Sequence, residues 1–320
     1  MTARKARMAA FSICAFALAV GSSLPLLAAE SVEPSVVQAF NLSPDQQRVR
    51  TPRNDAAIAQ IPAGFKFAQP GKFTVAISGK ASAPLSMLAT DDKTTIGSEA
   101  DTAQLIADSL GLELNVVQTS WEDWPLGVIS GKYDASINNI TVTESRKQRF
   151  DFATYRQDVL GFYVKSSSNI DSLKEAKDIV GLKIIVGTGT NQEKILLSWN
   201  ETNEATGLKP ATLLYYDDQA AAQLAVKSGR ADAYFGPNSM SAYTAAVSGG
   251  IKLVGIVNGG WPLRADIAVT TRKDNGLITA VHTSLEGAIA GGQYAAVLKH
   301  WGLDAERIDH SEINPQGLPD

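Results

Sequence analysis

The sequence predicts an α/β protein made of two similar lobes. Apolar, strand-like runs alternate with helical stretches of about ten residues, a pattern typical of parallel α/β sheets. Residues 130–135 and 228–233 share one order of residue types: a helix end, Gly, a basic residue, Asp, Ala and then a strand. This internal similarity, in a chain of 320 residues, indicates two lobes of related topology.

The first 29 residues have the composition of a secretory signal peptide. Three basic residues precede an uncharged apolar stretch over residues 8–20, and small residues end the segment at Ala29. A membrane-spanning helix needs about 20 apolar residues, so the alternative of a short N-terminal anchor is less favoured. We expect export, with cleavage near Ala29.

Composition and charge exclude several classes of function. Removal of the signal peptide takes away three basic residues and no acidic one, and changes the formal net charge from −4 to −7. This balance gives no support to nucleic-acid binding. Cys14 is the only cysteine and lies in the signal peptide, and the large Ile13 before it does not suit a lipoprotein signal. The mature chain therefore has no disulfide, which suits a bacterial periplasm.

Metal and cofactor sites are not expected either. The three histidines, at 282, 300 and 310, lack the spacing of a zinc site. The adjacent carboxylates, such as Glu122 and Asp123, do not face one another on one element, so none forms an acid–base pair. The chain also lacks the nucleophile elbow of serine hydrolases.

Residues 30–70 are predicted to be an N-terminal extension rich in Pro, Gln and Ala. We expect it to be partly helical around residues 44–50 and then to form a loop through residues 61–64. Phe65 and Phe67 are expected to fix the extension to the folded body, because large aromatic side chains gain most from burial.

Elements of the α/β region follow from hydrophobic periodicity and from glycines that end helices. Strands are predicted over residues 73–78, 112–118, 135–140, 159–164, 182–187, 211–216, 231–235 and 266–270. Helices are predicted over residues 101–110, 121–130, 192–199, 219–228 and 275–298. Gly111, Gly131 and Gly229 would close three of these helices.

A candidate carboxylate receptor follows the strand at residues 135–140. Thr143 is spaced to cap a short helix, and Arg146 comes three residues later. A guanidinium beside hydroxyls and free helix N–H groups is a good receptor for a carboxylate. The alternative is an ordinary helix cap with a solvated arginine.

Two further features could contribute to a binding site. The Gly/Thr-rich turn at residues 187–192 lies between a strand and a helix, where backbone N–H groups face an anion. It matches neither nucleotide-binding glycine motif, and the alternative is a plain turn. Trp121 stands at a strand-to-helix junction, so it is either part of the core or a platform for a ligand.

Several segments, taken in this order, resemble one family. They are residues 97–101 with 105–111, residues 121–134, residues 141–146, residues 149–155, residues 181–183, residues 228–233 and residues 299–302. From about Lys72 to Leu303 the chain is similar to the family 3 solute-binding proteins of ABC transporters, the polar amino-acid binding proteins.

The resemblance implies an α/β periplasmic binding protein of type II, with two lobes joined by two hinge crossings near residues 161–165 and 264–270. It would place lobe 1 at residues 71–162 and 268–320, and lobe 2 at residues 163–267. The two lobes would close on a ligand held between them.

The resemblance also implies a set of ligand-binding residues. Arg146 would form a salt bridge with the α-carboxylate of the ligand, and Trp121 would stack on the ligand. Further hydrogen bonds to the ligand would come from Thr141 and the backbone at Asn139 in one lobe and from Thr190 and Asn191 in the other.

Two positions depart from the family pattern. The acid that usually receives the ligand's α-ammonium is missing, and Asn238 stands in that stretch. Ser82 stands where an aromatic residue is expected before Pro84. We therefore expect an amino-acid-like ligand or another small carboxylate, and not a common α-amino acid in the usual clamp. Asp266 is an alternative acid that could restore the clamp.

Two functions are compared. The first is the periplasmic, monomeric substrate-binding component of an ABC importer, which delivers its ligand to a permease in the inner membrane. The second is a periplasmic enzyme on the same fold, similar to cyclohexadienyl dehydratase. That enzyme would need a general acid, for which Glu99 or Asp266 could serve.

Overall fold

Two five-stranded sheets organise the part of the chain that the computed structural model describes, residues 40–78, 83–216 and 218–319. The predicted signal peptide and Ser82 lie outside these residues. The strands are β1 Lys72–Ser78, β2 Met87–Leu88, β3 Thr95–Ile96, β4 Glu113–Thr119, β5 Ala135–Ser136, β6 Phe150–Gln157, β7 Val159–Lys165, β8 Lys183–Val186, β9 Thr212–Tyr215, β10 Ala233–Pro237, β11 Ile251–Asn258 and β12 Asp266–Arg272.

Nine α-helices pack around these sheets in the described ranges. They are α1 Asp55–Ala59, α2 Ser98–Leu110, α3 Trp124–Ile129, α4 Glu144–Lys147, α5 Asn191–Ala205, α6 Gln219–Lys227, α7 Asn238–Ser248, α8 Leu277–Ala290 and α9 Gln293–His300. Across the same ranges, no helix combines the length and the apolar character that crossing a bilayer requires.

The first sheet has the strand order β4-β1-β5-β12-β6. Strand β1 runs parallel to β4 and β5, whereas β12 runs antiparallel to β5 and β6. Alternate residues of β1, Phe73, Val75 and Ile77, lie in one core cluster with Ile106 of α2 and Leu285 of α8. The prediction of parallel strands is thus correct for β4, β1 and β5 and wrong for β12, because β12 returns from the second sheet.

The second sheet has the order β11-β7-β10-β8-β9. Strand β8 is parallel to β9 and β10, and β7 is antiparallel to β10 and β11. Its core contains a stack of rings: Phe162 lies 4.0 Å from Phe235 and 5.8 Å from Trp199 between ring centroids. The two sheets therefore have separate cores, which confirms the two-lobed fold.

The chain crosses between the sheets twice. Strand β6 ends at Gln157 in the first sheet and β7 begins at Val159 in the second, so Asp158 alone joins them. The chain returns between β11 and β12. The backbone N–H of Asp158 donates to the carbonyl of Ala265, and the N–H of Gly259 donates to the carbonyl of Asp158, both at 3.0 Å. These bonds tie the two crossings together, and the lobe limits drawn from the sequence remain predictions.

The N-terminal extension differs from its prediction in one respect. Residues 44–50 form no helix, because their basic side chains reach outward to α2: Arg50 Nε donates to Asp108 at 2.6 Å. The helix is instead α1, where Asn54 Oδ1 accepts hydrogen bonds from the N–H groups of two residues of the first turn. Phe65 and Phe67 pack against the core of the first sheet, as predicted.

Several elements depart from the periodicity-based predictions. The helix predicted over residues 275–298 is divided into α8 and α9 at Gly291 and Gly292, where Gly292 takes a left-handed conformation. Strands β6 and β11 and helix α7 were not predicted. In β6, charged residues interrupt the apolar pattern, and these become buried only because the C-terminal segment supplies partners, as Glu306 does for Arg156.

Candidate ligand-binding site

A cleft of about 820 Å³ is lined by residues from both lobes. Its first wall includes Ser78 and Thr119, the last residues of two parallel strands of the first sheet. Its second wall includes Gly187, which follows β8, and Tyr234 to Pro237 of β10. The carboxyl ends of parallel strands are the usual position of ligand sites in α/β sheets.

Arg146 projects into this cleft from helix α4. The hydroxyl oxygen of Thr143 accepts a hydrogen bond from the Arg146 N–H at 3.2 Å, so Thr143 caps α4 as predicted. The guanidinium Nη1 donates to the carbonyl of Thr141 at 2.9 Å, and its carbon lies 5.4 Å from the ring centroid of Trp121. Burial lowers the pKa of Arg146 to about 10. Among the described residues, no carboxylate forms an ion pair with it.

The sequence-based picture of the helix start beside Arg146 is wrong in one detail. Free backbone N–H groups were expected at this helix start, but the N–H of Glu144 donates to the carbonyl of Leu318 at 2.9 Å. The N–H of Gly317 in turn donates to Glu144 Oε1 at 2.7 Å. The C-terminal segment thus occupies this helix start.

The opposite wall carries the Gly/Thr turn and the start of α5. Thr190 is the N-cap residue: its Oγ1 accepts from the N–H of Glu193 at 3.3 Å and donates to the carbonyl of Gly187 at 2.7 Å. Asn191 follows it and is 6 % exposed, and its side-chain Nδ2 has no hydrogen-bond partner. N–H groups in the first turn of a helix have no intrahelical acceptor, so this wall also presents donors.

The floor of the cleft contains Asn139 and Glu99. The backbone N–H of Asn139 donates to Glu99 Oε1 at 2.6 Å, and the Asn139 side chain accepts from Arg156. The hydroxyl of Tyr155 donates to the same Glu99 oxygen at 3.2 Å. Asn139 lines the cleft, but its N–H donates to Glu99 and is therefore not available to a ligand. Burial raises the pKa of Glu99 to about 7.

The structure brings six of the eight predicted binding residues to the cleft. They are Trp121, Asn139, Thr141, Arg146, Thr190 and Asn191. Asn238 is not among the lining residues, and its Oδ1 accepts a hydrogen bond from the hydroxyl of Tyr163 at 2.8 Å. Asp266, the alternative acid, lies in β12 and does not line the cleft either.

Comparison with known proteins gives the family. A family model described as bacterial extracellular solute-binding proteins, family 3, matches residues 73–304. The chain belongs to this family. The resemblance found in the sequence is thereby confirmed.

Two relatives within the curated proteins are named for amino-acid ligands. The L-cystine-binding protein TcyJ of Escherichia coli K12 is 34% identical over 151 residues, which are 47% of this chain and 53% of that protein. The chain thus spans about half the length of this curated relative. The arginine-binding protein ArgT of Corynebacterium glutamicum is 26% identical over 229 residues, 71% of this chain and 73% of that protein.

A solved structure supports the same fold. An ancestral arginine-binding protein bound to arginine has 25% sequence identity and a TM-score of 0.62, with coverage of 72% of this chain and 98% of that chain. Since the match covers 98% of that chain, nearly the whole of that protein shares its fold with this one.

One acidic residue that lines the cleft was not predicted from the sequence of this family 3 protein. Asp158 lines the cleft at the first crossing, is 5 % exposed, and has a carboxylate oxygen, Oδ1, without a hydrogen-bond partner. Burial raises the pKa of Asp158, whereas the charge of Arg156 and the Asn139 side chain lower it. Arg156, near the end of β6, and Asp158, between β6 and β7, are opposite charges close together in the sequence, a signal that hydrophobic periodicity alone does not interpret.

Behind the cleft, Arg156 stands at the centre of a buried polar network. Its Nη1 donates to Glu306 and its Nη2 to the side chain of Asn139. Burial raises the pKa of Glu306 to about 7, although Arg156 opposes this shift. Three carboxylates, those of Glu99, Asp158 and Glu306, therefore surround one guanidinium.

Proposed function

We propose that this protein is the substrate-binding component of an ABC importer, which binds an amino acid or a related small carboxylate between its two lobes. The observation that carries the proposal is Arg146. It is a partly buried cation that lines the cleft, donates only to a backbone carbonyl among the described residues, and lies over the face of Trp121.

The chemistry of Arg146 favours a carboxylate ligand. A guanidinium offers donors in a planar fork that matches the two oxygens of a carboxylate. Burial makes the unpaired charge costly, as the lowered pKa reflects, and an anionic ligand would remove this cost. Trp121 would cover one face of the ligand.

The second lobe would hold the same ligand group after closure. Asn191 has an unpartnered, buried Nδ2 on the opposite wall, next to the first-turn N–H groups of α5. A carboxylate held by Arg146 from one side and by Asn191 from the other would favour the closed arrangement of the lobes, because only that arrangement makes both sets of contacts.

Delivery of the ligand to a permease is the part of the proposal that rests on the family. Relatives are named amino-acid-binding proteins, and the closed, loaded protein would present its ligand to a permease in the inner membrane. The predicted signal peptide would place the mature chain in the periplasm, where we expect it to act as a monomer.

A thermal-shift screen tests the proposal. L-arginine, L-cystine, L-histidine, L-glutamine and their des-amino analogues would be added to the mature protein, and binding to the folded state raises the midpoint of unfolding. We expect at least one of these compounds to raise the midpoint by several degrees, and Arg146→Ala to abolish that rise. Absence of binding by every compound of both kinds would contradict the proposal.

The enzyme alternative is not favoured. The relatives described above are binding proteins, and Glu99, a possible general acid, already accepts two hydrogen bonds. Mass spectrometry of the ligand after prolonged incubation distinguishes the two functions: an importer component returns the ligand unchanged, whereas a dehydratase-like enzyme converts its substrate to a lighter product.

A further inference from the structure

We infer that the C-terminal segment, residues 311–318, positions the guanidinium of Arg146 for the ligand. Gly317 and Leu318 are the positioning residues, and they act on Arg146 through helix α4. The inference rests on the proposed function, because it concerns the group that would bind the carboxylate of the ligand. The segment lies after residue 304, where the match to the family model ends.

Helix α4 needs support from outside itself. It has only four residues, Glu144–Lys147, and a helix of one turn is not stable through its own hydrogen bonds. Arg146 belongs to this helix, and its Nη1 donates to the carbonyl of Thr141 just ahead of the helix. The direction of the guanidinium therefore depends on how the stretch 141–147 is held.

The C-terminal segment forms a short parallel β-bridge with this stretch. The N–H of Leu318 donates to the carbonyl of Val142 at 3.0 Å, and the carbonyl of Leu318 accepts from the N–H of Glu144 at 2.9 Å. Strand β12 holds the same stretch as well, because the N–H of Val142 donates to the carbonyl of Asp266 at 2.9 Å. The backbone that leads into α4 is thus held at two places, by β12 and by the C-terminal segment.

Side chains of α4 make two further contacts with the segment. The N–H of Gly317 donates to Glu144 Oε1 at 2.7 Å. Lys147 Nζ donates to the carbonyl of Pro315 at 2.9 Å. Since Glu144 and Lys147 are the first and last residues of α4, the segment is bonded to both ends of the helix that carries Arg146.

Gly317 permits the close approach of the segment to α4. A Cβ atom at this position would lie 2.7 Å from the backbone carbonyl carbon of Thr143 and 2.8 Å from the backbone nitrogen of Glu144. Backbone atoms cannot move aside as a flexible side chain can, so a methyl group here would displace the segment from the helix start. Gly317→Ala is therefore a minimal way to separate the two.

The segment is itself anchored at both ends. The N–H of Asn314 donates to the carbonyl of Phe152 in β6 at 3.0 Å, and Asn314 Oδ1 accepts from the N–H of Phe152 at 2.9 Å. At the other end, Leu318 is buried, and its side chain packs against Gly260 in the loop between β11 and β12. The segment can therefore serve as a rigid support for α4.

Nuclear magnetic resonance of the ligand-free protein tests the positioning directly. Hydrogen exchange at the Glu144 amide reports whether the segment is bonded to α4, and the heteronuclear Overhauser effect at Arg146 Nε, assigned with Arg146→Lys, reports how firmly the side chain is held. In Gly317→Ala, and in a variant that lacks residues 316–320, we expect the Glu144 amide to exchange about 10-fold faster. The Overhauser effect at Arg146 should fall in both variants.

Calorimetry connects the positioning with ligand binding. The probes are L-arginine, L-cystine, L-histidine, L-glutamine and their des-amino analogues, and affinity is compared for those that the wild-type protein binds. Because a mobile side chain must be ordered when the ligand binds, we expect Gly317→Ala to weaken binding by about 5- to 10-fold. A merely structural role would lower the midpoint of thermal unfolding without changing the Overhauser effect at Arg146.

Gly291→Ala is the matched control. Gly291 is exposed and follows the last residue of α8, and the three atoms nearest to a Cβ there belong to the flexible side chain of Gln293. The same methyl group is thus added to lobe 1 away from α4. We expect this variant to keep the wild-type exchange at Glu144, the wild-type Overhauser effect at Arg146 and the wild-type affinity.

The outcomes separate this inference from the proposed function. Unchanged exchange at Glu144 in both variants, or faster exchange with an unchanged Overhauser effect at Arg146, would overturn the inference. Wild-type affinity in a Gly317→Ala protein with a mobile Arg146 would overturn it as well, and the importer proposal would stand in each case. Failure of the wild-type protein to bind any probe would contradict the proposed function, whereas the measurements without ligand would still decide whether the segment positions Arg146.

Discussion

The ring of Phe40 stacks on the ring of Tyr243, with the centroids 5.3 Å apart and the planes inclined by 13°. Phe40 also lies 4.8 Å from Trp301, which packs in a core cluster with residues of α2 and α9. Tyr243 belongs to α7, which follows β10 of the second sheet. A residue of the N-terminal extension, ahead of the part matched by the family model, therefore contacts both lobes.

Replacement of Phe40 should weaken this contact between the lobes. We expect Phe40→Ala to lower the free energy of unfolding by about 1–2 kcal/mol, because a half-buried aromatic ring loses both its burial and its ring pairing. Ligand affinity should change as well, since α7 would be less firmly held against the first lobe. Thermal unfolding and calorimetry measure the two effects.

Phe65→Ala is the matched control for this prediction. Phe65 also belongs to the N-terminal extension, but it pairs with Phe67 and packs on the core of the first sheet only. It should lower stability without changing ligand affinity. Equal effects of both variants on affinity would show that Phe40 has no special role between the lobes.

Arg146→Ala should abolish ligand binding and leave the protein folded. Loss of one partner of a desolvated charge pair leaves the ligand carboxylate unpaired, at a cost of about 3–5 kcal/mol, or more than 100-fold in affinity. Calorimetry with the amino acid found by the screen measures this loss. Arg149→Ala removes an exposed arginine from the residues that follow α4 and should bind normally. Wild-type affinity in Arg146→Ala would disprove the assignment.

Ligand binding should close the two lobes. Groups from both lobes line the cleft, and contacts to a shared ligand favour the arrangement that brings them together. Small-angle scattering at saturating ligand should give a smaller radius of gyration than the ligand-free protein gives. An unchanged radius, with saturation established independently, would argue against hinge closure.

The stability of the ligand-free protein should fall as the pH rises from about 5 to 8. Burial raises the pKa of Glu99 from its usual 4.5 to about 7, so the folded protein keeps a proton that the unfolded chain releases at lower pH. The stabilisation is present below pH 4.5 and is lost through pH 7, on the order of 2–3 kcal/mol for this group.

Denaturation curves of Glu99→Gln test this pH dependence. The variant cannot titrate at this position, so its stability should change less between pH 5 and 8 than that of the wild-type protein. Glu122→Gln, at an exposed position, should keep the wild-type dependence. The same slope in Glu99→Gln and wild type would assign the titration to other groups.

Local sequence patterns predicted much of the fold. The apolar alternation of β1, the left-handed Gly111 that closes α2, and the cap of α4 by Thr143 are properties of neighbouring residues, and each is present in the structure. Resemblance to the family added the expectation of a ligand held between the lobes, and the structure places Arg146 and Trp121 together at the cleft.

The polar floor of the cleft depended on contacts between distant parts of the chain. From the sequence alone, Asn238 was expected to be available to a ligand, but its side-chain oxygen accepts a hydrogen bond from the hydroxyl of Tyr163, 75 residues away. Asp158 showed no role in any local pattern, because its environment is formed by Ala265 and Gly259 of the other crossing and by the charge of Arg156. Hydrogen bonds and burial between distant segments decide which polar groups are already paired. Only the tertiary structure could therefore show which of them remain for a ligand.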